Sequence, residues 1–196
     1  MKVVIDARIE PGLAGGVAVA VKSLIQGLGQ LTDGDEEYII IADGEEQRAW
    51  FSSFLAPNQR LALWPNWEKT WSQRLVLKLT QPVVRYLRRL IDRRVWPEVP
   101  ISDGFHEKLG GDVLHVPTQN FVLCAIPTIY NPHDLQHLRF PEFFARDVFA
   151  RREVVYPAGC RFAQAVVVGS QWIKDDIVRR YGTDPDKIQI IPEAAP

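Results

Sequence analysis

A histidine and an aspartate stand side by side at His133-Asp134, directly after the apolar run Ile126 to Tyr130, with Asn131-Pro132 between them as a hinge. The run reads as a buried strand, and open α/β sheets bind ligands at the carboxyl ends of their strands. A histidine delivered there has two jobs open to it. It can hydrogen-bond a ligand hydroxyl or carry a proton near neutral pH, or it can satisfy backbone carbonyls at a tight turn. Asp134 either orients the imidazole or starts the next turn. His137 and Arg139 read as supporting residues, and Phe140, Pro141, Phe143 and Phe144 as apolar groups that pack the loop onto the sheet.

A second set of residues points to phosphate. Gly12, Gly15 and Gly16 lie between a first apolar strand and the helix that follows it. Glycines there let the backbone approach a phosphate, and the helix start offers free N–H groups with partial positive charge. The spacing is not G-x-G-x-x-G, and no Lys-Ser/Thr of a P-loop follows, so a plain flexible turn remains an equal reading. Asp43 ends the second strand, where a dinucleotide-binding domain places its ribose acid, but Asp43-Gly44 is also good turn chemistry. Asp6 and Arg8, two apart at the end of the first strand, could pair with each other or hold the loop above them, a structural role for both in either case.

The elements that must position these groups alternate. Lys2 to Ile5, Tyr38 to Ala42, Leu61 to Trp64, Asp112 to Val116, Ile126 to Tyr130, Ala165 to Val168 and Ile188 to Ile191 read as strands. Between the first two, Val17, Ala20, Val21, Leu24, Ile25 and Leu28 recur at amphipathic-helix spacing, and Glu45 to Leu55 reads as a second helix. Glu142 to about Phe162 is expected to be helical, ended or bent near Pro157-Ala158-Gly159. Ser170 is an N-cap for a helix with Ile173, Ile177 and Tyr181 inward and Gly182 at its close. Strands alternating with helices imply an α/β fold, a Rossmann-like, mostly parallel sheet flanked by helices.

Composition narrows the function classes. A net charge of −1 leaves no global basic field for nucleic acid. No apolar run reaches the length of a membrane span, and MKVVIDAR is no secretion signal. Cys124 and Cys160 are too few and too isolated for a disulfide framework or a metal site; a reducing cytoplasm is the expected setting. Lys69 to Trp96 is the exception to the even charge, with Arg85, Arg88, Arg89 and Arg93 largely opposite an apolar stripe of Val84, Leu87, Leu90 and Ile91. A core-packed helix with a solvated basic face is the commoner form of such a pattern. Peripheral contact with an anionic membrane surface is the functional alternative.

Three stretches, in order, resemble the N-terminal half of a retaining, mannosyltransferase-like glycosyltransferase of family four, with the GT-B fold. They are VVIDAR with its glycine loop and helix through Leu28, HDLQHLRFPEFF from His133 to Phe144, and AVVVGSQWIKDDIVRRYGTDPDKIQIIPEAA from Ala165 to Ala195. The resemblance implies two Rossmann-like domains facing across a cleft. Residues 1–192 would form the acceptor-side domain and 193–196 the start of the interdomain linker, with the C-terminal donor-binding domain beyond. It implies a nucleoside diphosphate sugar as hexose donor, a saccharide or lipid-linked acceptor, and no metal or organic cofactor. By the same resemblance His133 would contact the donor sugar near the reacting carbon, Gly15 and Gly16 the diphosphate, and Asp134 and Ser170 the donor side of the cleft. Related members often read T-G-I-G-R-Y where this chain has Gly-Gly-Val-Ala-Val-Ala from Gly15 to Ala20. Diphosphate contact would then rest on backbone N–H groups.

The resemblance also implies that an Arg/Lys pair and a Glu-x7-Glu signature belong to the second domain. Glu37 and Glu45 have that spacing but flank a strand, so the match reads as chance. On this reading the fragment by itself would transfer little. Two rivals stand beside it: a self-contained, non-catalytic nucleotide- or sugar-binding Rossmann-type module, and a nicotinamide oxidoreductase on the same fold, against which the missing glycine fingerprint counts.

Overall fold

The computed structural model describes residues 1–9, 15–31, 33–65 and 97–192. The basic segment Lys69 to Trp96, with Arg85, Arg88, Arg89 and Arg93, lies outside them, as do Gly12 and residues 193–196. Short runs rich in β-branched residues make seven strands: β1 (Lys2–Asp6), β2 (Glu37–Ala42), β3 (Gln59–Leu63), β4 (Val113–Val116), β5 (Thr128–His133), β6 (Ala165–Val168) and β7 (Ile188–Ile190). They form one parallel sheet in the order β3-β2-β1-β4-β5-β6-β7. The helices are α1 (Gly15–Gly29), α2 (Gly44–Ser52), α3 (Phe105–Lys108), α4 (Gln136–Arg139), α5 (Arg146–Phe162) and α6 (Gln171–Tyr181). Among the described residues no helix is long and apolar enough to cross a membrane.

Alternation along each strand sorts the core into two layers. Val3, Ile5 and Ile40 pack with Val21 and Ile25 of α1 and Phe51 of α2. On the opposite face Val4, Ile39, Leu114, Tyr130 and Val166 pack with Val155 and Tyr156 of α5 and Ile177 of α6. Helices therefore cover both faces of a parallel sheet, the expected α/β class. α6 begins and ends as its sequence dictates. Ser170 Oγ accepts from the Ile173 N–H, and Gly182 closes the helix at φ 63°.

Three expectations need correction. Asn131-Pro132 is not a hinge outside the strand: β5 continues through both to His133. The β5–β6 register shifts between Tyr130 and His133, and an irregularity of this kind is where a strand accommodates a proline, which lacks the ladder donor. The helix after the histidine segment does not end at Pro157, for α5 runs on to Phe162 with the proline inside it. Val155, Tyr156, Ala158, Gly159 and Cys160 are all buried around that proline, so packing offsets the one lost helical hydrogen bond. Finally, Phe140 and Phe143 do not pack on the sheet. They are 48% and 78% exposed, Pro141 is exposed as well, and only Phe144 turns inward, 6.4 Å from the His137 ring between centroids.

The fit of α5 to the sheet turns on Gly159. A Cβ there would stand 2.4 Å from Cε1 of Tyr130, a fully buried ring. Gly159→Ala should therefore destabilise the domain by about 1–3 kcal/mol through overpacking, in spite of alanine's better helix propensity. Urea denaturation checks this, and an unchanged or raised midpoint would contradict the close approach.

Candidate functional site

His133 is the terminal residue of β5 and has φ 64°. Among the described residues it is the sole non-glycine with positive φ, a conformation that costs energy and concentrates at functional positions. Its Nε2 lies 3.0 Å from the Pro117 carbonyl oxygen. A carbonyl only accepts, so Nε2 carries a proton and donates. The ring is thereby tied to the loop after β4, at the carboxyl edge of the sheet.

That ring lines a cavity of about 640 Å³. Its opposite wall is α1, with Gly16, Ala20 and Ser23. Its floor comes from the ends of β4, β5 and β6, through His115, Asn131 and Gly169. The structure thus brings Gly16 and His133 to one space. Gly15 precedes it at φ 42°, and a Cβ at either glycine would meet no atom of the described residues within 4 Å. His115 Nε2 and Asn131 Oδ1 are 3.1 Å apart on the floor. Burial pushes the His115 pKa down against the opposing effect of that hydrogen bond, so its imidazole is neutral near pH 7.

Asp134 and Ser170 take local roles. The Asp134 N–H donates to the Pro132 carbonyl and its Oδ1 accepts from the Gln136 N–H, 3.1 Å away, which starts the α4 turn. Ser170 caps α6, next to Gly169 at the cavity floor. His137 and Arg139 support the segment as expected: His137 Nε2 lies 3.1 Å from Glu153 Oε1, and Arg139 pairs with buried Asp176 while stacking on Trp172. Glu37 pairs with Lys2 at the far, amino end of β2, whereas Glu45 opens α2 beyond its carboxyl end. The two glutamates share no site.

A second cavity, of about 740 Å³, opens between the ends of β1 and β4. The strand order reverses there, the place where open α/β sheets form their ligand crevice. Arg8, Thr118, Asn120, Arg151, Arg152 and Tyr156 are among its lining residues. Arg8 is held rigidly: Nε and Nη2 donate to the two Asp6 carboxylate oxygens at 2.7 and 2.6 Å, and the guanidinium lies 3.6 Å from the Trp64 ring centroid. The buried His106 ring reaches the same carboxylate, with Nε2 3.3 Å from Oδ2. The expected Asp6–Arg8 pair is therefore present and anchors one wall.

Sequence reasoning passed over His115, Arg151 and Arg152, and took Asn131 only for a hinge. The signal for the first was faint. His115 sits between the core residues Leu114 and Val116, so strict alternation sends it to the other face. Arg151 and Arg152 carried no signal distinguishing them from ordinary helix surface.

A family model described as Glycosyltransferase Family 4 matches residues 14–195. The chain belongs to that family. A comparison with curated proteins finds no match. The Glycosyltransferase Family 4 match begins just before α1, so it takes in both glycines, His133 and the α5 arginines, while Asp6 and Arg8 precede it.

The Asp6 anchor has a pH signature. Burial pushes its carboxyl pKa up, but hydrogen bonds from Arg8 and His106, with their charges, outweigh this and hold it at about 2, below the ordinary 3.8. A depressed carboxylate contributes stability that is present above its unfolded value and is lost as pH falls toward the folded one. Asp6→Asn should therefore cost about 2 kcal/mol at pH 7, and the gap from the parent should narrow between about pH 4 and 2. Urea denaturation across that range measures it, and a constant gap would contradict the anchor.

Proposed function

We propose that this chain is the acceptor-side domain of a retaining glycosyltransferase that moves a hexose from a nucleoside diphosphate sugar to a saccharide or lipid-linked acceptor. The observation that supports this best is the joining of Gly16 and His133 on one cavity at the carboxyl edge of a parallel sheet. A helix start such as that of α1 carries backbone N–H groups without intrahelical partners, of the kind that hold phosphate oxygens. His133, fixed in an uncommon conformation by β5 and Pro117, serves as a hydrogen-bonding group for the donor sugar. Gly15, at φ 42°, opens α1 on the diphosphate side, and Asp134 and Ser170 hold the segments around the site. In this reading the side chains lost from the first loop leave the diphosphate to backbone donors and to groups beyond this domain. No metal or organic cofactor is assigned a part.

Charge developing on the departing diphosphate needs fixed positive partners in the transition state. The chain by itself is therefore expected to bind donor weakly and to transfer little, and its setting is the cytoplasm or the cytoplasmic surface of a membrane. Peripheral contact through Arg85, Arg88, Arg89 and Arg93 belongs to the same proposal.

His133→Gly tests it, because glycine adopts φ 64° without strain and so preserves the backbone while removing the ring. The expected result is an unchanged or slightly raised melting temperature together with a loss of about tenfold in affinity for a nucleoside diphosphate hexose, a lost charge-assisted or paired hydrogen bond being worth that much. Equal affinities for the two proteins would mean that the histidine serves only the turn.

A further inference from the structure

The second cavity has no part in the donor reading, yet its wall is chemically particular. Arg151 Nη2 donates to Asn120 Oδ1 at 2.8 Å, and Arg152 Nη2 donates to Gln119 Oε1 at 3.2 Å. Both acceptors are neutral amides. No carboxylate among the described residues lies within ion-pair distance of either guanidinium, even though Asp147 stands one turn before Arg151 on α5. Arg152 Nη1 is buried with no hydrogen-bond partner among the described residues, and so is the hydroxyl of Tyr156, a residue only 1% exposed. Buried donors without partners are rare because each costs the full desolvation of the group. Arg8 faces the same space across the crevice, already neutralised and held by Asp6.

The amides hold Arg151 and Arg152 by their edges without cancelling their charge. Paired guanidinium donors that are positioned but not neutralised match the oxygens of a carboxylate or phosphate. The remaining wall is of another kind. Asp147, Glu98, Thr118 and Asn120 also line the cavity, and acceptors of that sort suit sugar hydroxyls rather than a second anion. The volume of about 740 Å³ has room for more than a lone ion.

We propose that this cavity binds an acidic saccharide as acceptor, its carboxylate or phosphate seated on Arg151 and Arg152 and its hydroxyls on the acidic and amide wall. The assignment rests on the glycosyltransferase reading, and it names the acceptor class. The same anionic chemistry is available from a soluble sugar or from the head of a phosphorylated lipid carrier.

Binding to the 196-residue chain at fixed ionic strength tests the proposal, with methyl glucuronide and glucose 6-phosphate as anionic probes, methyl glucoside as the neutral control, and vesicles with and without a phosphoprenol as the lipid arm. At least one anionic probe should bind about tenfold tighter than its neutral counterpart. Arg151→Gln with Arg152→Gln should bring that preference to within about twofold. Arg151→Gln alone, at an exposed position, should weaken binding by about threefold without moving the melting temperature. A preference seen only with sugars assigns a soluble acceptor, and one seen only with vesicles assigns a lipid carrier. Equal binding of charged and neutral probes, or an undiminished preference in the variants, overturns the assignment. Competitive displacement of the glucuronide by a nucleoside diphosphate also overturns it, since the arginines would then serve the donor. The two readings fail separately: a preference that survives alongside indifference of donor binding to His133→Gly removes the donor site and leaves this one.

Discussion

Parallel pairing of β1 with β2 on one side and with β4 on the other is the constraint on which both cavities rest. α1 packs on the face of the sheet that holds Val3 and Ile5, whereas the helices that follow β4 and β5 pack on the other, so the strand order reverses between β1 and β4. Right-handed crossovers favour this arrangement of parallel strands. Arg8, just past β1, and Thr118 and Asn120, just past β4, line the crevice at that point, while Gly16 of α1 lines the cavity at the ends of β4 to β6. Asp6 matters because it is the last residue of β1. A buried carboxylate there would be costly unless paired, and bonding with Arg8 and His106 turns that cost into a fixed wall.

His133 shows the same logic at a smaller scale. β5 continues past the register shift and through Pro132, so the strand delivers the histidine rather than a hinge displaying it. His133 holds the Pro117 carbonyl from a left-handed backbone, a conformation that costs of order 1 kcal/mol or more. Buried Pro132 and Leu135 on either side hold the segment in place. A residue with only a turn to make would be replaced at no cost by glycine, which is why the identity of the side chain is the informative feature.

What could be read from the sequence follows from what acts locally. Strand runs such as YIIIA and AVVV, the Ser170 cap and the Gly182 stop are set by residues within a few positions, and each falls in the element the pattern placed it in. Expectations failed where distant packing outweighed a local rule. Pro157 does not end α5, because buried neighbours on both sides hold the helix to the sheet. Phe140 and Phe143 are aromatic but lie exposed, their rings 6.0 Å apart against each other. The site was half legible: His133 and the glycines announced themselves by type and position. His115, Arg151 and Arg152 did not: His115 reaches the first cavity through its place on the inner run of β4, and only the fold brings Arg151 and Arg152 of α5 to the crevice beside Thr118 and Asn120.

On the proposed function, the space between the start of α1 and the end of β5 receives a nucleoside diphosphate sugar. Nuclear magnetic resonance of the labelled chain, titrated to millimolar concentration with such sugars, tests it most directly. The account predicts shifts in the Gly15 and Gly16 amides and the His133 and His115 imidazoles, with Asn131 and Gly169 following at the same midpoint. Shifts confined to the crevice of Arg8, Arg151 and Arg152, or no shifts at any residue of the α1–β5 space, would contradict it.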